Sequence, residues 1–476
     1  MIPPPAAPPT RVAANTFHYH VYDYPGSAAR GRWGLSDAQP TRGGYQFHSM
    51  VQSLAGLRDY GVYRGIPNMR LDLVGGPTAE QRRTLMLSFG RNTPGTPAVV
   101  ITGGIHAREW IATEMAYLIA EFIVKNHPAA PPPVGLPPVL TQNQTRLRDL
   151  VNTRHIRIIP MVNPDGNRRT VFGDDANDRY WRKNCRSLPN WGPGWLSALA
   201  PNNVPNPPFT NVSYQTWPIW AQYRVPNFDP THGNPAGLAP PVIGVVPPAT
   251  YQNHVLTNLD TGVDLNRNMD TRGWGYDPPR VINTVTYYLF WNPAGDQFFG
   301  TNRGGEPETG NVQTAMTQAA QIGVGGLLDV TIDYHCYGMW ILYPGETANN
   351  PLAAQHASTG VMLQNLIRTN AGAGGYALGH PLGLTTYEAT GTVADYAQQR
   401  HTAKSFTIEL DPAVDPDPTV DARLGFALNE DQIKPVFAKN IRGALAAIAA
   451  PTTQLEATNY QADYGWNMDN QGNQLP

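Results

Sequence analysis

The chain has 476 residues, enough for one large domain or two, and its charged fraction of 15% is low for a globular protein. With 34 basic and 36 acidic residues the formal net charge is −2, so the overall charge gives no reason to expect binding to nucleic acid or an anionic membrane. The two cysteines, Cys185 and Cys336, exclude a disulfide framework and a thiolate zinc cluster, and they leave one bridge or two thiols open.

We expect no targeting segment at the start of the chain. Residues 1–15 are rich in Pro and Ala, without a charged run followed by an apolar core, so we predict a disordered tail rather than a signal peptide. No stretch approaches about 18 uninterrupted apolar residues, which argues against a transmembrane helix. We therefore expect a soluble protein, either cytoplasmic or secreted by a non-classical route.

Apolar runs of strand length recur along the chain and alternate with helical periodicity. The runs are bounded by Gly, Pro or Asn, as expected for buried strands, and they lie at 98–103, 156–163, 330–335 and 405–410. Helical periodicity covers 109–126, 351–370 and 430–449. Strands that alternate with long helices predict an α/β fold, a single large domain in which helices cover both faces of the sheet.

The segment from about 187 to 258 shows neither periodicity. Its many Pro, Asn, Trp and Tyr residues predict an ordered loop insertion packed on a domain that spans 16–450, because disordered tracts are poor in aromatic residues. Residues 451–476 are polar and predict a loosely docked C-terminal tail.

A candidate metal site begins where the first predicted strand gives way to a helix. His106 and Glu109 form a His-x-x-Glu pair there, with both side chains able to reach one cation. The alternative is an ordinary helix start, with Glu109 favoured by the helix dipole. His335, at the end of the strand at 330–335, is the candidate third ligand, with a structural role as its alternative. Two His and one Glu, with one position left for water, is the ligand set of catalytic zinc sites.

Seven motifs resemble, in order along the chain, those of a known family. They lie within about 95–185 and 260–450 and read GGIHAREW, NPDGNRR, RYWRKNC, GVDLNRNMD, DYHCYG, TTYEATGTVADY and SFTIEL. Together they resemble the carboxypeptidase A/B-type zinc metallocarboxypeptidases, the funnelins. The resemblance implies a catalytic domain over 16–450 with a mixed parallel and antiparallel sheet. It also implies one Zn²⁺ per chain, held by His106, Glu109 and His335.

The resemblance also assigns chemistry to three residues near the metal. Glu409, in SFTIEL, matches the family's general base beside the zinc-bound water, whose pKa zinc lowers from about 15.7 to near 7. Arg182 matches the arginine that polarises the scissile carbonyl and holds the oxyanion. Asp264 matches the carboxylate that orients the first zinc histidine. A surface arginine and a turn aspartate are the alternatives for Arg182 and Asp264.

Substrate recognition is implied in the same way. Asn266 and Arg267 match the pair that binds the terminal carboxylate of a peptide, for which a bidentate guanidinium is well suited. Tyr387 matches the mobile tyrosine that closes over this group. Arg108 and Tyr337 match residues that line the subsites further along the peptide. These residues favour exopeptidase action over generic amide hydrolysis.

The pocket for the C-terminal side chain is implied to be small and neutral. Ala394 lies where basic-specific members of the family carry an aspartate, and Thr392, Val393 and Thr407 complete a mostly apolar wall. Asp395, by analogy, points away from this wall. We therefore expect a preference for neutral or hydrophobic C-terminal residues over Lys and Arg.

Three functions remain open on the sequence. The first is hydrolysis of C-terminal peptide bonds by a monomeric enzyme whose partner is a peptide or protein C-terminus, with no nucleic acid or membrane involved. The second is an amidase acting on peptidoglycan stem peptides, which also end in carboxylates. The third is a non-catalytic peptide-binding protein, although such proteins typically lose a ligand or the base and none is missing here. The insertion at 187–258 lies near the mouth of the expected funnel or is structural padding.

Overall fold

The structure is a computed structural model that describes the segments around a central sheet. The described residues are 47–128, 141–172, 180–186, 262–271, 274, 280–282, 285–287, 296–300, 302–344, 353–367, 375–384, 389–412, 425–426 and 430–449. The predicted tails at 1–15 and 451–476 and the insertion at 187–258 lie outside the described residues, and so does Tyr387.

A mixed eight-stranded sheet forms the centre of this structure. The strand bounds in the described residues are Arg70–Pro77 (β1), Arg83–Gly90 (β2), Ala98–Gly103 (β3), His155–Ile159 (β4), Arg280–Ile282 (β5), Val285–Tyr287 (β6), Val330–Cys336 (β7), Trp340–Leu342 (β8), Ala377–Gly379 (β9) and Lys404–Leu410 (β10). The strand order in the sheet is β1-β2-β4-β3-β7-β10-β8-β9. Strands β4, β3, β7 and β10 run parallel to one another, as do β8 and β9. The pairs β1–β2, β2–β4 and β8–β10 are antiparallel, which confirms the predicted mixed sheet. Strands β5 and β6 form a separate antiparallel pair.

Helices cover both faces of the sheet, as predicted. Alternate side chains of β3 point to opposite faces, so Val99 and Ile101 join one apolar cluster while Ala98 and Val100 join another. The helix bounds in the described residues are Phe47–Tyr63 (α1), Trp110–Asn126 (α2), Gln142–Thr153 (α3), Pro164–Phe172 (α4), Pro307–Ala320 (α5), Ala353–Leu366 (α6), Pro381–Leu384 (α7), Val393–His401 (α8) and Glu430–Ala449 (α9). The first cluster includes α2 and α9, and the second includes α5 and α8.

Helix α2 is an interior helix, and the candidate ligands His106 and Glu109 lie just before its first residue. Every residue from Trp110 to Lys125 is buried, which fits a helix that is apolar on nearly all sides. It packs on β3, β4 and β7 on one side and on α1, α3 and α9 on the other. Because such tight packing leaves little room for movement, the residues just before α2 have a fixed position relative to the sheet.

Each strand and helix that the sequence analysis named is present, most of them with bounds within a few residues of the prediction. The strand at 98–103 and the helix at 430–449 have the predicted bounds. The strand predicted at 156–163 is too long, since β4 ends at Ile159. Pro160 follows directly, and proline has no N–H with which to continue a strand ladder. The short strands β8 and β9 were not predicted, and neither were several longer elements: β1, β2, α1, α3 and α5.

Two further expectations concern the cysteines and the membrane. Cys185 and Cys336 are present as thiols rather than as a bridge, which answers the question that their spacing left open. Within the described segments, no helix combines the length and the apolar character needed to cross a membrane.

Candidate active site

The site lies on the polar face of strand β7 and its neighbour β10. In β7, Ile332 and Tyr334 pack in the apolar core, so strand alternation places Asp333 and His335 on the opposite face. His335 stands in register with Glu409 of β10. The carboxyl ends of the parallel strands therefore bring an imidazole and a carboxylate side by side at one edge of the sheet, where sites form in α/β folds.

Two glycines let helix α2 approach the end of β3. A Cβ atom on Gly103 would lie 2.3 Å from the carbonyl oxygen of Ala112, so a larger residue would push the helix away. Gly104 has a φ of +64°, a backbone conformation that glycine adopts at little cost. The chain can therefore turn sharply after β3 and bring His106 and Glu109 against the end of β7.

Three predicted ligands converge at this edge. The Nδ1 atom of His106 lies 2.8 Å from Oε1 of Glu109 and 3.1 Å from Nδ1 of His335, which is itself 3.0 Å from Oε2 of Glu109. All three side chains are buried. Two ligands that each sit about 2.0–2.1 Å from one zinc ion must be less than about 4.2 Å apart, and these distances meet that condition.

The chemistry of this cluster fits a divalent cation. Two imidazoles and one carboxylate are the ligands that zinc favours, and among the described residues this is the group of His, Cys, Asp and Glu whose ligand atoms could hold an ion. Burial alone would raise the pKa of Glu109, but the adjoining imidazoles of His106 and His335 outweigh it and lower that pKa. Glu109 is therefore an ionised carboxylate in a buried position, as a metal ligand must be.

Asp264 connects the cluster to Arg182. Its Oδ1 lies 3.1 Å from Nε2 of His106, and its Oδ2 accepts a hydrogen bond from Nε of Arg182 at 3.0 Å. Burial opposes ionisation of Asp264, yet Arg182 and His106 lower its pKa well below the ordinary value. The predicted contact between Asp264 and the first histidine is therefore present, and Arg182 is held at the site rather than on an open surface.

Asp333 is a site residue that the sequence analysis missed. Its Oδ2 lies 2.7 Å from Nε2 of His335, and its Oδ1 accepts a hydrogen bond from the hydroxyl of Thr102 at 2.6 Å. The signal was available: in VTIDYHC the residues Thr331, Asp333 and His335 alternate with apolar residues, as on a strand with one polar face.

One cavity adjoins the cluster, and most of the predicted site residues line it. Glu409 is one of them, and burial raises its pKa to about 7, although the nearby His335 opposes the rise. The cavity combines polar wall residues at the metal cluster with apolar and aromatic residues from strand β8 and the segment after it. It is lined by His106, Arg182, Asn266, Arg267, His335, Trp340, Leu342, Tyr343, Pro344, Pro381, Ala389, Thr392, Ala394, Asp395, Thr407 and Glu409.

Comparison with known proteins decides the family. The family model described as zinc carboxypeptidase matches residues 66–443, most of the chain. The chain belongs to the zinc carboxypeptidase family. The resemblance drawn from the seven motifs is thus confirmed, and the predicted hydrolase, metalloprotease and carboxypeptidase classes are those of this zinc-dependent family. Members of the family act on peptide C-termini.

Individual relatives are distant. Carboxypeptidase B of Astacus astacus is 30% identical over 109 residues, which are 23% of this chain and 29% of that protein. Metallocarboxypeptidase A of Trichophyton rubrum is 24% identical over 414 residues, 85% of this chain and 71% of that protein. The crystal structure of carboxypeptidase A from Helicoverpa armigera superposes with a TM-score of 0.54 at 20% identity and covers 90% of this chain and 78% of that one. This structural likeness confirms the fold.

The residues predicted to bind the terminal carboxylate lie together in this zinc carboxypeptidase. Asn266 and Arg267 belong to a short 3-10 helix at Leu265–Arg267, which the side chain of Asp264 caps through the backbone N–H of Asn266. Both side chains are buried and border the cavity. The side-chain oxygen of Asn266 accepts a hydrogen bond from the N–H of Val393 at 2.9 Å. Tyr387, the third predicted member, lies outside the described residues.

Arg108 and Tyr337 meet at Phe426. The guanidinium of Arg108 lies 4.4 Å from the centre of the Phe426 ring, and the ring of Tyr337 packs edge-on against the same ring at 4.9 Å. Arg108 also donates a hydrogen bond to Asp296 at 2.9 Å. Neither Arg108 nor Tyr337 is among the residues that line the cavity. The structure thus places the two side by side, beyond the cavity itself.

The predicted pocket wall needs one correction. Thr392, Ala394 and Thr407 line the cavity as expected, but Val393 points into an apolar cluster with α5 because it begins helix α8. Asp395 borders the cavity, yet its Oδ2 accepts the backbone N–H of Thr392 at 3.1 Å. One carboxylate oxygen of Asp395 thus serves a helix cap rather than the cavity.

Proposed function

We propose that this chain is a zinc metallocarboxypeptidase that holds one Zn²⁺ and hydrolyses the C-terminal peptide bond of peptides or proteins. The proposal rests on one observation: His106, Glu109 and His335 converge beside a cavity that is lined by Glu409 and Arg182. A zinc ion held by the three residues would supply Lewis acidity and lower the pKa of water from about 15.7 to near 7. The remaining chemistry falls to side chains of the chain.

Glu409 is proposed to move the proton. It would take a proton from the attacking water and return it to the leaving amine, a role that suits a carboxyl whose pKa is raised to about 7. Arg182 would stabilise the oxyanion that forms at the scissile carbonyl. Its hydrogen bond to Asp264 supports this role, because the bond fixes the guanidinium at the cavity wall before substrate arrives.

Recognition of a C-terminus is proposed for the buried pair Asn266 and Arg267, with Tyr387 closing over the bound group. A buried guanidinium at a cavity wall favours a ligand that carries a carboxylate, because two parallel N–H···O bonds are strong and directional. Arg108 and Tyr337 would contact residues further along the peptide. Their position around Phe426, beyond the cavity, is consistent with that role.

We expect peptides that end in Phe or Leu to be cleaved faster than peptides that end in Lys. Trp340, Leu342 and Tyr343 give the cavity an aromatic and apolar wall, and Ala394 and Thr407 add uncharged surface. A lysine side chain would lose hydration there, and the Asp395 carboxylate that also borders the cavity already accepts the backbone N–H of Thr392. Values of kcat/KM for blocked dipeptides that differ only in the last residue measure this preference. Fastest release of Lys would overturn it while leaving the carboxypeptidase proposal in place.

The function itself is tested by hydrolysis of blocked dipeptides with and without a chelator. We expect activity that the chelator abolishes and added Zn²⁺ restores, since ligand residues alone supply no Lewis acid. A peptidoglycan stem-peptide fragment is assayed in parallel. Turnover of that fragment with none of the dipeptides would favour the amidase, and zinc binding without hydrolysis of either substrate would favour a non-catalytic peptide-binding protein.

A further inference from the structure

A carboxylate also contacts the second ligand histidine. The Oδ2 atom of Asp333 lies 2.7 Å from Nε2 of His335, while Nδ1 of the same ring lies 3.0 Å from Glu109. Asp333 and His335 are both fully buried, with 0% and 1% of their surfaces exposed. The two ring nitrogens of His335 therefore face different groups, one toward the metal cluster and one away from it.

The proton of His335 can be assigned from these contacts. A ligand nitrogen carries no proton, so a neutral His335 with Nδ1 toward the cluster must be protonated on Nε2. The amide nitrogen of Asn266 lies 3.2 Å from Nε2, but it is a donor, because the Asn266 oxygen already accepts from the N–H of Val393. Asp333 is closer and can only accept when ionised, so the Nε2–H group donates to Asp333.

Asp333 is itself held in place by the sheet. Thr102 of β3 stands in register with Asp333 of β7, and its hydroxyl donates to Oδ1 at 2.6 Å. His335 lies two residues further along β7 and therefore on the same face. The sequence of contacts from Thr102 through Asp333 to His335 thus rests on two paired strands rather than on loops.

We propose that Asp333 is a positioning residue that keeps His335 in its Nε2–H tautomer and aims Nδ1 at the metal, thereby strengthening zinc binding. The inference rests on the proposed function, since it requires His335 to be a ligand. Asp264 makes the equivalent contact with His106, at 3.1 Å. Each ligand imidazole is thus held by a carboxylate on the nitrogen that faces away from the cluster, an arrangement that fixes ring orientation.

The test is the zinc dissociation constant of the apoprotein, measured by competition with a chelator. We expect Asp333→Ala to weaken zinc binding by about 10–100-fold, the usual effect of removing such a partner. Asp333→Asn keeps an acceptor oxygen but no charge, and Thr102→Val removes the bond that fixes Asp333, so both should weaken binding less. The visible spectrum of the cobalt-substituted protein should change in the same variants, because it reports ligand geometry.

Thr331→Val is the matched control. Thr331 is buried on the same face of β7, two residues before Asp333, and we expect zinc affinity within about twofold of wild type. Asp333→Asn and Thr102→Val decide the question if Asp333→Ala does not fold. Unchanged zinc affinity in these variants would overturn the role of Asp333, while a wild-type protein that binds zinc and cleaves dipeptides would leave the proposed function standing. A wild-type chain that binds no zinc would overturn both.

Discussion

Glu409→Gln is expected to lower kcat for a blocked dipeptide by about 10²–10⁴-fold, the range that a positioned acid–base group contributes. Glutamine keeps the size of the side chain and its place on β10 but cannot accept a proton from water. Glu409 pairs in register with His335 without being one of the three proposed ligands, so the zinc content should stay at the wild-type value. Steady-state kinetics together with metal analysis measure both quantities.

The pH profile gives the same prediction a second readout. A general base works only when it is unprotonated, so wild-type kcat/KM should rise with pH until Glu409 is ionised. Burial raises the pKa of this carboxyl to about 7, and the positive charge of a bound zinc ion would lower it, which places the rising limb at or below about pH 7. This limb should be missing in Glu409→Gln.

Glu114→Gln serves as the matched control for Glu409. Glu114 is a fully buried glutamate that lies within helix α2 and does not border the cavity. We expect its kcat to stay close to that of the wild type. If Glu409→Gln retained more than about a fifth of the wild-type kcat, or kept the rising limb, the assignment of the base would be wrong.

The sequence revealed the metal cluster more completely than its surroundings, and the reason is the range of the contacts. The apolar runs and the glycine pair that ends the first of them place His106, Glu109 and His335 at strand and helix ends, where side chains of separate segments can meet. The bond between Thr102 and Asp333 joins residues 231 positions apart. Such a bond depends on strand register, and a strand pattern does not state which strand is its neighbour.

The wrong prediction for Val393 shows a second limit of sequence analysis. The motif TTYEATGTVADY correctly indicated a segment beside the pocket, but Thr392 caps a helix that begins at Val393. A residue in the first turn of a helix points in a direction that the cap geometry sets, and here that direction leads into the apolar cluster with α5. Membership of a loop motif therefore predicted proximity to the pocket without predicting which side chains face it.

Arg267→Ala is expected to cost about 3 kcal/mol in transition-state binding of a peptide with a free C-terminus, or roughly 10²-fold in kcat/KM, because charge-assisted hydrogen bonds to a carboxylate are lost. Arg267 is buried, and its backbone is closely packed: a Cβ on Gly391 would lie 2.5 Å from the Arg267 carbonyl oxygen. The side chain of Arg267 therefore extends from a fixed backbone position at the cavity wall, which helps to orient its guanidinium toward a planar carboxylate.

A thermodynamic cycle separates carboxylate recognition from general damage. The two enzymes, wild type and Arg267→Ala, are each assayed on a blocked dipeptide and on its C-terminal amide, which lacks the negative charge. We expect the wild type to prefer the free acid by about 10²-fold and the variant to treat both substrates nearly alike. The difference measures the coupling energy between the Arg267 guanidinium and the terminal carboxylate of the substrate. Arg267→Lys should fall between them, because it keeps the charge without the bidentate fork.

Arg58→Ala on helix α1 is the control for this cycle, since Arg58 is partly exposed, pairs with Asp59 and does not border the cavity. It should keep the full preference for the free acid. An Arg267→Ala enzyme that is slower on both substrates by the same factor would show that Arg267 supports the fold of the site rather than the terminal carboxylate. The exopeptidase specificity would then have to come from other groups. If Arg267→Ala loses the preference for the free acid but still hydrolyses the amide at the wild-type rate, the exopeptidase specificity depends on the buried guanidinium of Arg267.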